Sequence, residues 1–201
     1  MSALLSYISS FALSFIDKTG YAGVFVLSVV ESAAIPIPSE VVIPFSGFLA
    51  AIGRFSFWPV VILATLANLT GSLILYWIGK SGGRWIVERY GKYFLIHKKD
   101  IERGDAWFKK YGSSAVFFSR MLPVIRTFIS LPAGIALVDF KKFVILTFFG
   151  ALPWNLTLAF IGFKAGENWG LLHDYFRQAD VFIVILLCAG VVWYVFKHRR
   201  H

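Results

Sequence analysis

The chain has 201 residues, is 58% hydrophobic, carries only 15% charged residues and has a mean hydropathy of +0.71. A soluble domain is nearer half apolar and about a quarter charged, so this composition excludes an ordinary soluble fold and points to a single membrane domain. The formal charge of +9 does not imply nucleic acid as a partner, because Lys and Arg cluster beside apolar runs, where positive-inside bias and anionic lipid account for them.

The N-terminal residues MSALLSYISSFALSFIDK lack a basic stretch ahead of their apolar part, so they do not read as a cleavable signal peptide. Residues 2–16 are too short to span comfortably and read as an interfacial helix. Residues 19–53 carry only two charges, Glu31 and Glu40. As one helix this segment would be roughly 50 Å long, against a hydrocarbon core of about 30 Å. Pro36, Pro38 and Pro44 fall in its middle, and proline removes a backbone donor and clashes with the preceding turn. Two half-helices meeting at a turn near Ile35–Ser39 fit better. Such a re-entrant hairpin is tolerated where protein or a water-filled cavity covers the broken backbone.

Residues 56–79 read as a full span. Residues 80–112 hold nine Lys/Arg and four acids, with Trp85, Ile86, Tyr90 and Tyr93 at helical spacing between them. They read as amphipathic helices on the cytoplasmic surface. Residues 113–138 again carry two charges, Arg120 and Arg126, and are interrupted by Pro123 and Pro132. A second re-entrant hairpin fits, with Asp139, Lys141 and Lys142 marking its return to the basic side. Residues 143–163 make a second span and residues 181–196 a third, ending in the basic tail KHRRH. The loop 80–112, Lys141–Lys142 and the tail then share one side, which the positive-inside rule makes cytoplasmic. The expected organisation is an N-terminal interfacial helix (1–18), a membrane domain with both hairpins (19–165), and a C-terminal transmembrane helix with its tail (166–201).

A faint internal repeat accompanies this pattern. A shift of 87 residues places Gly47 on Gly134 and Asn68-Leu69-Thr70 on Asn155-Leu156-Thr157. Each unit would be one hairpin and one span, an odd number of crossings, so the units would face opposite ways. Inverted repeats with broken helices meeting near the midplane are a recurring transporter plan.

The chemistry lies in the two broken segments. A carboxylate at membrane depth costs about 2.5–3.5 kcal/mol unless it is paired, protonated or hydrated. A carboxyl group in low dielectric favours its neutral form, so it can take a proton on one side and lose it on the other. Glu31 and Glu40 are candidate proton carriers and counter-ions. The competing reading makes them ties between hairpins, and Glu40 after Ser39 is also placed to favour a helix start. Arg stays ionised almost anywhere. The forked donors of Arg120 and Arg126 match phosphate oxygens, and a half-helix N-terminus adds free N–H groups to the same anion. Two arginines with two glutamates balance an empty site, and an incoming phosphate could displace the acids. Pro36, Pro38, Pro123, Pro132 and Gly134 are expected at the hairpin tips.

The Glu-x4-Pro-x-Pro-x-Glu segment (31–40) and the Ser-Arg-x-x-Pro-x-x-Arg…Pro-Ala-Gly segment (119–134) resemble the paired signatures of the DedA family, also called the SNARE-associated or VTT superfamily. The resemblance covers roughly residues 17–165. It implies an all-α integral membrane fold of two opposed re-entrant hairpins with transmembrane and amphipathic helices. It implies lipid translocation across the bacterial cytoplasmic membrane, with undecaprenyl phosphate or phosphatidylethanolamine as cargo. It also implies proton motive force or another cation gradient as the drive. The family's functional acids and arginines carry over to Glu31, Glu40, Arg120 and Arg126. Some members have Asp at a longer spacing where this chain has Glu40, which weakens the carry-over of a proton role there.

The remaining polar residues are weaker candidates. Asn68 and Asn155 line a pathway or merely hydrogen-bond a neighbouring helix. Gly47 and Gly134 permit close packing or a tight turn, and Trp154 reads as packing or interface anchoring. Cys188 alone makes no intramolecular disulfide. His97, His173, His198 and His201 lie in polar loops or the tail without metal-ligand spacing, so neither a metal nor a cofactor is expected. The expected activity is a proton-coupled flippase for a lipid phosphate. Its partners are a membrane lipid with a phosphate headgroup and protons or another cation, and a homo-oligomer is left open. The alternatives are a phospholipid translocase, an ion or drug antiporter, and a membrane-organising role. A lipid phosphatase is disfavoured, since nucleophilic chemistry would want a histidine near the arginines and none lies between His97 and His173.

Overall fold

The computed structural model describes residues 2–33, 39–83, 108, 112–122 and 125–166. The turn carrying Pro36 and Pro38, most of the basic segment 80–112, Pro123, the loop 167–180 and the third span with its tail lie outside the described residues. The described residues are helical, without a strand among them.

Helix α1 (Ser2–Thr19) is followed by two short helices, α2 (Tyr21–Ser32) and α3 (Ser39–Ala51). The expected break in segment 19–53 is present: α2 ends at Ser32 and α3 begins at Ser39. With 12 and 13 residues, each is roughly 18–20 Å long, short of a bilayer core of about 30 Å. Pro44 does not share in the break. It stands inside α3, where the helix forgoes one backbone hydrogen bond. The start of α2 and the end of α3 come together. Tyr21 stacks on Phe55 at 4.4 Å, its hydroxyl accepts from the Ser56 N–H at 2.7 Å, and Asp17 pairs with Arg54.

Helix α4 (Phe57–Ile78) runs into a π-helical turn at Gly79–Gly83. Among the described residues the second broken segment holds α5 (Ser114–Ser119), α6 (Ile125–Phe128) and α7 (Ser130–Ile135), the last two separated by Ile129 alone within one apolar stretch, Ile125–Ile135. Pro132 and Gly134 stand inside α7 rather than at a tip. Pro132 is the third residue of α7, in its first turn, where a missing N–H costs little. Helix α7 ends at Ile135; beyond its cap, Leu137 has a left-handed φ of 54°, with Val138 N–H bonded back to Ala133 O at 3.1 Å. Helix α8 (Phe140–Ala165) begins three residues earlier than the sequence suggests. Asp139 caps it by accepting from Lys142 N–H at 2.9 Å, which draws Lys141 and Lys142 into its first turn.

Two stretches, 57–82 and 140–165, each have 26 residues and enough hydropathy to cross a membrane. They run antiparallel. Phe57 at the start of α4 meets Phe163 near the end of α8 at 5.4 Å, and Tyr76 near the end of α4 stacks on Phe143 near the start of α8 at 4.6 Å. The α2–α3 pair joins the Phe57–Phe163 end through an apolar cluster that includes Ile16, Val24, Val42, Ile43, Val60, Val61 and Ala159. Helices α5 and α7 join the other end through Val116, Ala133, Tyr76 and Phe143. Ile62, Leu66, Ile74, Ile145, Phe149 and Phe160 point outward, the surface a lipid-facing helix presents.

Glycines bring backbones into contact across these joints. A Cβ on Gly47 would strike the Ala159 carbonyl, and one on Gly162 the Pro44 carbonyl. At the other end, a Cβ on Gly134 would strike the Tyr76 carbonyl and one on Gly79 the Leu131 carbonyl. Small residues are what allow such approach between membrane helices. Gly162→Val and Gly134→Val should therefore each cost about 3 kcal/mol through overpacking. Gly53→Ala, in open space at φ +78°, should cost only about 1–2 kcal/mol of backbone strain. Thermal unfolding midpoints in detergent check this, and equal midpoints for all three variants would contradict backbone contact.

Candidate functional site

Between the two apolar clusters lies a layer of buried polar side chains. It starts on α2, whose buried stripe (Gly23, Val24, Leu27, Ser28, Glu31, Ser32) repeats at helical spacing and ends in polar residues. Gly71 lets α4 press against this stripe, since a Cβ there would strike the Val29 carbonyl. The close approach delivers Asn68 to α2. Its amide nitrogen donates to Ser32 Oγ at 2.6 Å, and to Ser28 O and Glu31 Oε2 at 3.4 Å each. Asn155 of α8 donates to Asn68 Oδ1 at 2.9 Å and to Thr65 Oγ1 at 3.1 Å.

Arg126 enters this layer from α6. Its Nη2 donates to Glu31 Oε1 at 2.5 Å, and both side chains are more than nine-tenths buried. The guanidinium also sits 5.1 Å from the Trp154 ring. This is an ion pair between residues 95 apart in sequence, joining the two broken segments.

Arg120 follows α5 and is equally buried. Gly150 makes room for its stem, because a Cβ there would come within 2.9 Å of Arg120 Cβ. Its donors go to neutral oxygens. Nη1 reaches Ser72 Oγ at 2.9 Å and the Arg126 carbonyl at 2.5 Å, and Nη2 reaches Ser130 Oγ at 2.9 Å and Thr147 Oγ1 at 3.1 Å. Arg120 thus fastens the broken segment to both long helices and pins the backbone of Arg126.

The structure therefore brings together Glu31, Arg126, Arg120, Asn68 and Asn155. Glu40 lies in the first turn of α3 and is half-buried. Gly134 takes the packing role. Sequence reasoning missed Ser28, Ser32, Thr65, Ser72, Ser130 and Thr147. Thr65, Asn68 and Ser72 stand three and four residues apart on α4, a polar stripe in an apolar span that could have flagged them.

The VTT domain matches residues 37–164. The chain belongs to the VTT-domain family, the DedA family. It is 34% identical over 200 residues to undecaprenyl phosphate transporter A of Bacillus subtilis, covering 100% of this chain and 97% of the relative. It is 34% identical to undecaprenyl phosphate transporter A of Staphylococcus aureus, covering 92% and 96%. It is also 34% identical to an alkaline phosphatase-like protein of Lactococcus lactis, covering 90% and 89%. No solved structure matches the chain. With its apolar helices and these relatives, this VTT-domain chain is a bacterial membrane protein. Glu31 and all of α2 precede the matched VTT stretch, so one half of the ion pair comes from outside it.

Four hydrogen bonds at about 0.6 kcal/mol each, the membrane-protein average, put Arg120 near 2 kcal/mol of stability. Arg120→Leu should lower the detergent unfolding midpoint accordingly. Arg126→Leu should cost more, about 3–5 kcal/mol, because it strands a buried carboxylate, and adding Glu31→Gln to it should recover part of that loss. A double variant no more stable than Arg126→Leu alone would refute the stranded-charge account.

Proposed function

We propose that this protein is a transporter that moves a lipid phosphate, undecaprenyl phosphate first of all, across the bacterial cytoplasmic membrane without altering it. The buried Glu31–Arg126 pair carries the proposal. It lies in the middle of a bundle of two antiparallel apolar helices, in a chain related over its whole length to proteins named undecaprenyl phosphate transporter A.

The architecture supports alternating exposure of that pair. Segments α2–α3 and α5–α7 read as re-entrant hairpins entering from opposite faces. In support, their helices are too short to cross, and they join opposite ends of the α4–α8 pair. An inverted repeat is supported by Asn68 and Asn155, which are 87 residues apart and hydrogen-bonded to each other. It is supported again by the two glycine joints. Gly47 and Pro44 meet α8 much as Gly134 and Leu131 meet the end of α4, and Gly134 and Leu131 stand 87 residues beyond Gly47 and Pro44.

In this reading Arg126 exchanges partners. Protonation of Glu31 discharges the carboxylate, and Arg126 turns its forked donors to the phosphate. Departure of the phosphate lets Glu31 ionise and close the pair again. One cycle moves one headgroup and one proton, which couples transport to the proton motive force. Arg120 adds positive potential beside the phosphate, and Glu40 is the second acid in the proton path. The basic segment 80–112 and the C-terminal tail face the cytoplasm. The isoprenoid chain stays in lipid beside the hairpins.

Proteoliposomes test this directly, by following undecaprenyl phosphate and phosphatidylethanolamine between leaflets. Wild type should move undecaprenyl phosphate, and Arg126→Ala should slow it at least about tenfold, the loss of some 1.4 kcal/mol. Glu31→Gln should remove the pH dependence of whatever transport remains. No movement of either lipid by wild type would sink the proposal. Full transport by the charge-swapped pair Glu31→Arg/Arg126→Glu would sink the exchange mechanism.

A further inference from the structure

The polar layer holds a donor that nothing in the ion-pair network uses. The Trp154 indole N–H is buried and has no hydrogen-bond partner among the described residues. Leaving such a group unmatched costs about 1–3 kcal/mol, and native proteins leave few of them. Packing alone does not require it. The ring face that lies 5.1 Å from the Arg126 guanidinium would serve as a cation–π platform in a phenylalanine as well. The N–H is the part of Trp154 that needs a ligand, and it lies on the residue that touches the substrate-facing arginine. Ser28 Oγ, one turn before Glu31 on the same stripe of α2, Arg120 Nε and Asn155 Oδ1 are further buried polar atoms of this layer without a hydrogen-bond partner among the described residues.

We infer that the Trp154 indole N–H donates to the bound phosphate and selects a terminal phosphate monoester over a diester. The inference rests on the transporter reading above. The chemistry follows from counting oxygens. The fork of Arg126 can take two phosphate oxygens in a bidentate pair. A diester has only those two unesterified oxygens to offer. A monoester has a third, and it needs a donor outside the plane of the fork. Trp154 stands against that guanidinium and carries an unmatched donor. With a diester bound, its N–H would stay buried and unmatched, which is how a polar site rejects a ligand lacking the right group.

The test measures lipid binding to the full-length protein in detergent by native mass spectrometry. The ligands are undecaprenyl phosphate, phosphatidylethanolamine and inorganic phosphate, and the proteins are wild type and Trp154→Phe. Phenylalanine keeps an aromatic face for Arg126 and removes the N–H. A hydrogen bond to a charged group is stronger than one between neutral groups, so undecaprenyl phosphate should bind at least about tenfold more weakly to the variant. Phosphatidylethanolamine binding should not change. Loss confined to inorganic phosphate, with undecaprenyl phosphate unchanged, would overturn the selection of a lipid monoester. Unchanged monophosphate binding, or equal weakening of both lipids, would overturn the inference. Wild type that binds neither lipid nor phosphate would overturn the transporter reading itself. Should Trp154→Phe fail to fold, β-(3-benzothienyl)alanine at position 154 replaces the N–H by sulfur at nearly constant shape, and the same outcomes apply.

Discussion

A carboxylate and a guanidinium can stay buried among apolar helices only if they meet, because each alone carries a large desolvation penalty. Glu31 and Arg126 meet at 2.5 Å, and much of the surrounding structure exists to make that contact tenable. Their other polar atoms also need partners. Asn68 supplies one to Glu31 Oε2, and Asn155 holds Asn68 in turn. The Arg126 backbone carbonyl is claimed by Arg120. One ion pair thereby draws in α2, α4, α6 and α8.

The joints on either side of this layer have the opposite chemistry. They are apolar clusters locked by glycines that let backbones touch. In lipid there is little hydrophobic drive between helices, so close packing and interhelical hydrogen bonds hold such a bundle together. The ends hold the short helices on the long ones. The middle holds the ion pair and the hydrogen bonds around it.

The two arginines show how position separates identical side chains. Both are buried, and both belong to a single short motif. Arg126 has an ionised partner, Glu31. Arg120 is held by three hydroxyls and a carbonyl from surrounding elements, neutral acceptors with no charge to hand over. The sequence reading treated them as one phosphate-binding pair, because spacing alone says nothing of what each guanidinium touches. The structure separates them: Arg126 pairs with a charge, and Arg120 holds the Arg126 backbone.

Much was legible in the residues themselves. Composition identifies a membrane protein, since long apolar stretches can lie in lipid as helices that satisfy their own backbone. The prolines at 36 and 38 mark the break between α2 and α3, and the isolated charges mark Glu31, Arg120 and Arg126 as costly and therefore purposeful. The 87-residue offset even picked out Asn68 and Asn155. What the chain order could not convey is which residues touch. The hydroxyls of Ser72, Ser130 and Thr147 look ordinary in apolar helices, and Trp154 reads as packing. Their roles arise only when glycines let α4 close on α2, and α8 on α3 and α5, and bring residues 95 apart into one layer. Periodicity and charge are local properties of a sequence. Desolvation and pairing are properties of neighbourhoods, and only the tertiary structure makes those.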